Sequence, residues 1–354
     1  MKFLKKLLIF IMIILMIFTL TSNENFTTSA NTNFDTNNRK TYNIAILFTN
    51  LRDPFFALTK ENLINIQNEN KDKVNFIFLD SQNNESIENE LINYELKRNV
   101  DLLAISMINP NEKTLTDVIE RAKQKNIPII LLGIPTDIVS KVSSIYSKAA
   151  FIIPNSEQAG MAEGNILADL WNTKKNSLDK NNDNILSYII LQGILENEVT
   201  LGRTKGFILA LTNSGIKIKE LEHINANWSE DTAKISIENL LRKYNDKIEA
   251  IISNNDSMAL GAIEALQKYG YNTGDMTKYI PVLGIDGLPE VKALIDKGFM
   301  TGTVIQPPRI FADQIYLVGM NLLNNLNPIA NTNYEFKNNQ IVAIFPIETY
   351  TKKN

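Results

Sequence analysis

A nine-residue stretch, D-K-N-N-D-N-I-L-S, carries oxygen-bearing side chains at alternating positions. These side chains belong to Asp179, Asn181, Asp183 and Ser187, and the backbone carbonyl of Ile185 falls between the last two. Ca²⁺ prefers oxygen ligands, and the stretch matches the first nine positions of an EF-hand loop. The pattern therefore predicts a structural Ca²⁺ site. The alternative is a polar turn in an asparagine-rich chain.

The last position of the loop departs from the EF-hand pattern. Ile190 stands at the twelfth position, where an EF-hand has a bidentate glutamate. Asn184 replaces the usual glycine, which is acceptable because asparagine tolerates positive φ. A complete EF-hand is therefore not expected.

The residues that most enzymes use for catalysis are scarce. The chain has no cysteine and one histidine, His223, which excludes disulfides, thiolate sites and multi-histidine metal sites. It contains no G-x-x-x-x-G-K-[ST] phosphate loop and no G-x-S-x-G nucleophile elbow. We expect His223 to be an exposed turn residue. Catalysis is accordingly the weaker hypothesis.

Length and charge limit the class of protein. The 354 residues are 44% hydrophobic and 21% charged, which predicts a globular chain of about two domains. Lys and Arg number 36 and Asp and Glu 39, so the net charge is −3. A nucleic-acid partner is not expected, because such proteins need a basic surface.

The N-terminus has the pattern of an export signal. Lys2, Lys5 and Lys6 precede an apolar run from Leu7 to Leu20, which is shorter than the ~20 residues that span a bilayer. We predict a signal peptide over residues 1–30 and a disordered tether over 31–41. An uncleaved signal that tethers the protein to the membrane is the alternative.

The rest of the chain alternates between strand and helix patterns. Predicted strands cover 42–48, 74–79, 102–106, 127–132, 187–191, 250–253, 280–284 and 302–305. Predicted helices cover 56–68, 86–97, 112–125, 156–171, 201–212, 229–241, 256–269, 288–297 and 311–323. This alternation indicates an α/β protein with two doubly wound parallel-sheet lobes and a ligand crevice at the carboxyl ends of the strands.

Several motifs occur in a fixed order along this pattern. They are D-P-F-F at 53–56, D-S-Q-N-N at 80–84, N-N-D-S-M-A-L-G-A at 254–262, I-P-V-L-G-I-D-G-L-P-E at 280–290 and G-T-V at 302–304. Together they resemble the periplasmic galactose/glucose-binding proteins, which are type I sugar receptors of ABC importers. The resemblance runs from about residue 42 to residue 350.

The resemblance implies a fold and a function. It implies lobes of residues 42–153 plus 306–334 and 154–305 plus 335–354, joined by three hinge crossings. It also implies a periplasmic monomer that captures a monosaccharide between the lobes. The partners would be the membrane subunits of an ABC importer and, in some members, a chemoreceptor.

The resemblance also assigns site residues. Phe55 and Trp228 would stack on the two faces of a sugar, because pyranose faces are apolar. The polar rim would be Asp53, Asn197, Arg203, Asn255, Asp286 and Gln306. Glu249 would supply the carboxylate that the Ca²⁺ loop lacks.

Some family positions carry other residues here. Gly133 stands for an asparagine, Val199 for an aspartate and Thr49 for a tyrosine, while Asn197 replaces a histidine and Gln306 an asparagine. Glycine and valine offer no side-chain hydrogen bond to a sugar. We therefore expect a sugar-like ligand, and the specificity for glucose or galactose is in question.

Two other functions remain open at this point. The first is a sugar sensor that signals to a chemoreceptor without a role in transport. The second is a secreted glycoside hydrolase, in which Asp53 and Asp286 would be the paired acid and base.

Overall fold

The computed structural model describes residues 40–343 and 347–352. The predicted signal peptide lies outside the described residues, as does the predicted tether up to residue 39. Tyr42–Asn354 form one compact unit. Among the described residues, no helix combines the length and the apolar character that a membrane span requires.

Strands and helices alternate along the unit, as the sequence predicts. The strands are β1 Tyr42–Phe48, β2 Val74–Asp80, β3 Leu102–Ser106, β4 Ile129–Leu132, β5 Ala149–Ile152, β6 Ile185–Gln192, β7 Lys217–Asn225, β8 Ala250–Ser253, β9 Val282–Asp286, β10 Gly302–Ile305, β11 Tyr334–Lys337, β12 Gln340–Ala343 and β13 Glu348–Thr351. The helices are α1 Pro54–Glu69, α2 Glu85–Arg98, α3 Glu112–Gln124, α4 Thr136–Val142, α5 Ser156–Leu178, α6 Glu198–Asn213, α7 Glu230–Tyr244, α8 Asp256–Lys268, α9 Pro289–Asp296 and α10 Pro308–Leu323.

The strands form two sheets of similar topology. The first sheet has the order β11-β12-β5-β4-β3-β1-β2, and the second has the order β13-β10-β9-β8-β6-β7. Pairing is parallel except between β11 and β12 and between β10 and β13. In each sheet the strand order reverses beside the first strand, β1 or β6, and ligands of doubly wound folds bind at such points.

Each sheet is covered by helices on both faces. In the first lobe, Leu63 of α1 and Ile315 of α10 pack on one face, while Ile92 of α2 and Leu115 of α3 pack on the other. The second lobe has the same construction, with α7, α8 and α9 on one face and α5 and α6 on the other. The predicted α/β architecture with two doubly wound lobes is confirmed.

The chain passes between the sheets three times. It does so after β5, after β10 and between β12 and β13. Both β11 and β12 belong to the first sheet, so the last change of sheet lies between Ala343 and Glu348. The boundary that the resemblance implies, between residues 334 and 335, is earlier and falls at the start of this hairpin.

His223 is exposed, as expected, but it lies in strand β7 and not in a turn. Its Nε2 atom is 2.7 Å from Oε1 of Gln192 on the neighbouring strand β6.

Candidate ligand-binding cleft

One cavity brings together all the residues predicted for the sugar site. It encloses about 740 Å³ of empty space, open solvent included, and is lined from both lobes. The predicted residues that line it are Asp53, Phe55, Asn197, Arg203, Trp228, Asn255, Asp286 and Gln306. The cavity lies at the carboxyl ends of the strands, where the topology places a ligand.

Three of the polar residues are also helix N-caps. Asp53 Oδ1 accepts hydrogen bonds from Phe55 N (2.8 Å) and Phe56 N (3.2 Å) at the start of α1. Asn197 Oδ1 accepts from Val199 N (2.9 Å) at the start of α6. A capping bond fixes the side chain through one oxygen and leaves its second polar atom free for a ligand.

Asn255 follows the same arrangement in the second lobe. Its Oδ1 accepts a hydrogen bond from Met258 N (2.9 Å) at the start of α8, so its Nδ2 remains as a donor. The capping role and the ligand-binding role of these three side chains are therefore compatible, because each role uses a different atom.

Arg203 on α6 holds the second-lobe wall of the cavity together. It is 4% exposed, and it donates to the carbonyl oxygen of Asn254. Its Nη2 donates to Gln306 Oε1 (2.8 Å) and lies 3.4 Å from Asp286 Oδ1. Arg203 thus joins the ends of β8, β9 and β10 and fixes two predicted rim residues.

The two aromatic residues come from different lobes. Phe55 is half-buried, with ring centroids 6.2 Å from Phe56 and 5.8 Å from Phe311. Trp228 has φ +63°, a left-handed conformation that is unusual for a bulky residue. The Arg203 guanidinium lies 5.7 Å from the centre of its indole ring.

Other cavity residues were not predicted as ligand contacts. Thr49, Gly133 and Val199, three of the five positions that depart from the family, also line the cavity. Sequence reasoning missed Phe56, Ser106, Met107, Leu132, Pro154, Ile194 and Phe311. Ser106 ends β3 and Leu132 ends β4, so their position at a strand's carboxyl end was the signal that could have identified them.

Four carboxyl groups surround the single guanidinium of Arg203. Burial raises the pKa of Asp53 and raises that of Asp286 well above its usual range, while Arg203 lowers both. Burial also raises the pKa of Asp256 to about 6. Glu163 is fully buried on α5, and burial raises its pKa well above 4.5. One cation cannot balance four buried anions in a low-dielectric site, and this imbalance favours the protonated forms of the cluster.

The lobes contact each other beside the cavity. Thr136 on α4 donates from its N to Glu198 Oε2 and from its Oγ1 to Glu198 Oε1, both at 3.2 Å. The same hydroxyl lies 2.9 Å from Gln340 Oε1. These bonds connect the first lobe to the start of α6 in the second lobe.

The predicted Ca²⁺ loop is folded by its own side chains. Asp179 accepts from Asp183 N (3.1 Å) and Asn184 N (2.9 Å), and Asp183 accepts from Ile185 N (2.8 Å). Asn184 has φ +61°, as its replacement of glycine requires.

Glu249 reaches this loop from the segment before β8. Its oxygens accept hydrogen bonds from Lys180 N (2.9 Å) and Ser187 N (2.8 Å), at opposite ends of the loop. Burial raises the pKa of Glu249, and Asp179 and Asp183 raise it further. These oxygens are of the type that Ca²⁺ prefers, and they come from both sides of the loop. Among residues 40–343 and 347–352, however, no three acidic, histidine or cysteine side chains are grouped as a metal site.

Comparisons with known proteins agree with this geometry. Residues 44–327 match the model of the periplasmic binding protein domain family. The chain is 31% identical over 266 residues to the D-galactose/methyl-galactoside binding periplasmic protein of Haemophilus influenzae, covering 75% of this chain and 76% of that one. It is 27% identical to the ribose import binding protein of Escherichia coli, covering 86% and 88% of the two chains.

Solved structures share the fold. An ABC transporter solute-binding protein from Bacillus halodurans with bound myo-inositol matches with a TM-score of 0.69 at 23% identity, covering 89% of this chain and 96% of that one. A solute-binding protein from Actinobacillus succinogenes with bound D-allose matches with a TM-score of 0.70 at 20% identity, covering 88% and 98%. The family expected from the sequence is confirmed, and the chain belongs to the periplasmic binding proteins.

Proposed function

We propose that this protein captures a monosaccharide in the cleft between its lobes and delivers it to an ABC importer. The observation that carries the proposal is that Phe55 and Trp228, from opposite lobes, line one cavity together with the six polar residues. A galactose- or glucose-like hexose, or a related sugar, matches this composition. Its apolar faces pack on aromatic rings and its hydroxyls bond to fixed polar groups.

The polar atoms left by the helix caps suit a sugar rim. Asn197 and Asn255 each retain an amide donor, and the second oxygen of Asp53 has no hydrogen-bond partner among the described residues. A sugar hydroxyl both donates and accepts, so alternating carboxylate and amide groups can pair with adjacent hydroxyls. Because the caps and Arg203 hold these groups in place, little entropy is lost when the ligand binds.

We propose binding without catalysis. A glycoside hydrolase would need Asp53 and Asp286 as acid and base, but Asp53 caps α1 and Asp286 is paired with Arg203. The relatives reported above are named as binding proteins. Release of the aglycone from a nitrophenyl glycoside by the purified protein would support the hydrolase instead.

The cellular setting follows from the family and the predicted signal. We propose that the protein is a monomer in the periplasm, and that an uncleaved signal would tether it to the membrane there. Its partners would be the importer's membrane subunits, and a chemoreceptor would be a second partner. The relative from Escherichia coli is named as an import binding protein, which favours transport.

We also propose that the loop of Asp179, Asn181, Asp183, Ile185 and Ser187 binds a structural Ca²⁺ together with Glu249. The support is the convergence of Glu249 on both ends of the loop. The ion would hold the loop residues against the segment that precedes β8. The three carboxylates would draw closer together around it than they are here.

The proposed function is tested by thermal unfolding of the purified mature protein against a panel of monosaccharides. A ligand that binds only the folded state stabilises it, by ~2.7 kcal/mol at a ligand concentration of 100 times its Kd. The melting temperature therefore rises with ligand concentration. We expect at least one hexose or pentose to give a concentration-dependent rise. A panel without any rise would contradict the proposal.

A further inference from the structure

The end of strand β3 forms part of the cavity wall. β3 ends at Ser106, and both Ser106 and the following Met107 line the cavity. The register of β3 with β4 ends at the pair Ser106 and Leu132, and its register with β1 ends at Ile105. The residues after Ser106 therefore lie beyond the sheet, and their position depends on contacts with other elements.

A buried glutamate holds the chain at this point. Oε2 of Glu88 on α2 accepts a hydrogen bond from Ile108 N at 2.8 Å, two residues after Ser106. The Glu88 residue is 3% exposed. The bond joins α2 to the segment between β3 and α3, so it fixes the chain that follows the cavity wall.

The carboxyl group of Glu88 lies on the buried face of α2. Ile92 and Leu96 anchor the same face in the core of the first lobe. Burial raises the pKa of Glu88 to about 7, the Ile108 N–H lowers it, and Glu85 raises it. Burying a carboxyl group costs free energy unless it is hydrogen-bonded. An apolar side chain would avoid this cost, but it could not accept the bond from Ile108.

We propose that Glu88 is a positioning residue for ligand binding, because its bond to Ile108 fixes the end of β3 and thereby orients the Ser106 hydroxyl in the cavity wall. This inference rests on the proposed function and adds to it a residue that is not among those lining the cavity. The Ser106 hydroxyl donates and accepts hydrogen bonds, as a sugar hydroxyl does. Loss of one oriented hydrogen bond to the ligand should weaken binding on the order of fivefold.

Three substitutions of Glu88 separate the acceptor oxygen from the charge and the volume. Glu88→Ala removes the acceptor, and Glu88→Leu removes it while filling most of the space, so it preserves the packing if the alanine variant does not fold. Both should raise the Kd about fivefold in calorimetric titration of the mature protein. The probe is the panel monosaccharide that gives the largest thermal shift. Glu88→Gln retains an acceptor oxygen and should keep the Kd within about twofold of the wild type.

Glu95→Ala is the matched control. Glu95 is also fully buried and lies two turns further along the same face of α2, but its partner at 3.3 Å is Arg98 of the same helix. This variant should alter the unfolding free energy in urea and leave the Kd unchanged. An unchanged Kd in the folded Glu88→Ala and Glu88→Leu proteins, or an equal rise in Glu95→Ala, would overturn the inference and leave the proposed function intact. If the wild type binds no panel monosaccharide, the proposed function fails first and this inference fails with it.

A double variant tests the route through Ser106. If Glu88 acts by orienting this hydroxyl, Ser106→Ala removes the group that Glu88 positions. The double variant Glu88→Ala with Ser106→Ala should then bind about as weakly as Ser106→Ala alone. Fold-changes in Kd that multiply in the double variant would overturn the role of Glu88 in orienting Ser106.

Discussion

The indole of Trp228 lies directly against the backbone of Gly193. A Cβ atom on Gly193 would come within 2.1 Å of the Trp228 ring atoms Cε2 and Cζ2. Gly193 follows β6, so the end of a buried strand supports one side of the ring, which also packs against the core of the second lobe and lines the cavity. Position 193 therefore needs glycine because the indole occupies the space of any larger side chain. A left-handed backbone is not the reason.

Gly193→Ala should displace the indole and abolish measurable sugar binding, as Trp228→Ala should. We expect both proteins to fold, because Trp228 is only half-buried and the core of the second lobe is formed by other residues. Loss of one stacking face should cost a few kcal/mol of binding free energy. Titration calorimetry checks the affinity, and far-UV circular dichroism checks the fold.

Trp171 provides the control, since it is the other of the two tryptophans and lies on α5, buried in the core of the second lobe. Ligand should alter the fluorescence of Trp171→Phe but not that of Trp228→Ala. Unaltered affinity in Trp228→Ala would assign the indole to packing alone.

The sequence predicted the positions of most elements and of the eight proposed site residues. It did so because buried parallel strands are continuous apolar runs and because their carboxyl ends meet at one edge. The start of α6 was predicted three residues late, at 201. Asn197 caps this helix, but in an asparagine-rich chain a capping asparagine carries little signal.

Strand β7 was missed for a different reason. It reads K-I-K-E-L-E-H-I-N and lies at the edge of the second sheet, with most of its residues exposed. A charged edge strand lacks the apolar run that identifies buried strands. The short strands β5, β12 and β13 pair with strands that are distant or not consecutive in the sequence, which local patterns do not report.

We expect the contact between Thr136 and Glu198 to strengthen ligand binding, because it joins the two lobes beside the cavity. Glu198→Ala removes both of its hydrogen bonds to Thr136, each worth about 1 kcal/mol. The closed state should then be less populated, and the apparent Kd should rise about fivefold or more while the unfolding free energy changes little. Titration calorimetry and urea unfolding measure the two quantities.

Glu157→Ala is the matched control for this variant. Glu157 also lies in the first turn of a helix, α5, but its partner Lys205 belongs to the same lobe. An equal rise of the Kd in both variants would show that the interlobe contact has no special role.

The raised pKa of the buried Glu163 should make the stability of the protein depend on pH. Its folded pKa is raised above 4.5 by burial, so the folded state holds the proton more tightly than the unfolded state. The unfolding free energy should therefore fall as pH rises above about 4.5 towards the folded pKa. Glu163→Gln cannot ionise, and its stability relative to the wild type should increase between pH 5 and pH 8.

Urea unfolding at several pH values measures this difference. Asp53, Asp256 and Asp286 share the same direction of pKa shift, so only the difference between wild type and variant isolates Glu163. A difference that is constant from pH 5 to pH 8 would contradict the prediction.

The proposed Ca²⁺ site predicts a metal-dependent melting temperature. Chelator should lower it and added Ca²⁺ should restore it, because the ion offsets the repulsion among Asp179, Asp183 and Glu249. Glu249→Gln should have a low melting temperature that no longer responds to either. Sugar affinity should barely change, since the loop does not line the cavity.

Glu88→Gln is the control, because Glu88 is also a buried glutamate that accepts a backbone hydrogen bond, from Ile108 N, but belongs to α2 in the first lobe. It should keep the full response to chelator. If the wild type melts at the same temperature in chelator and in Ca²⁺, and no metal is detected by atomic absorption, the loop is only a polar turn.

The most direct measurement is calorimetric titration of the purified mature protein with the monosaccharide that gives the largest thermal shift. The account predicts saturable binding of one sugar per chain, lost in Trp228→Ala and strongly weakened in Asp53→Ala, with both variants folded. Stoichiometric binding that survives both substitutions would place the ligand elsewhere and contradict the assignment of the cleft.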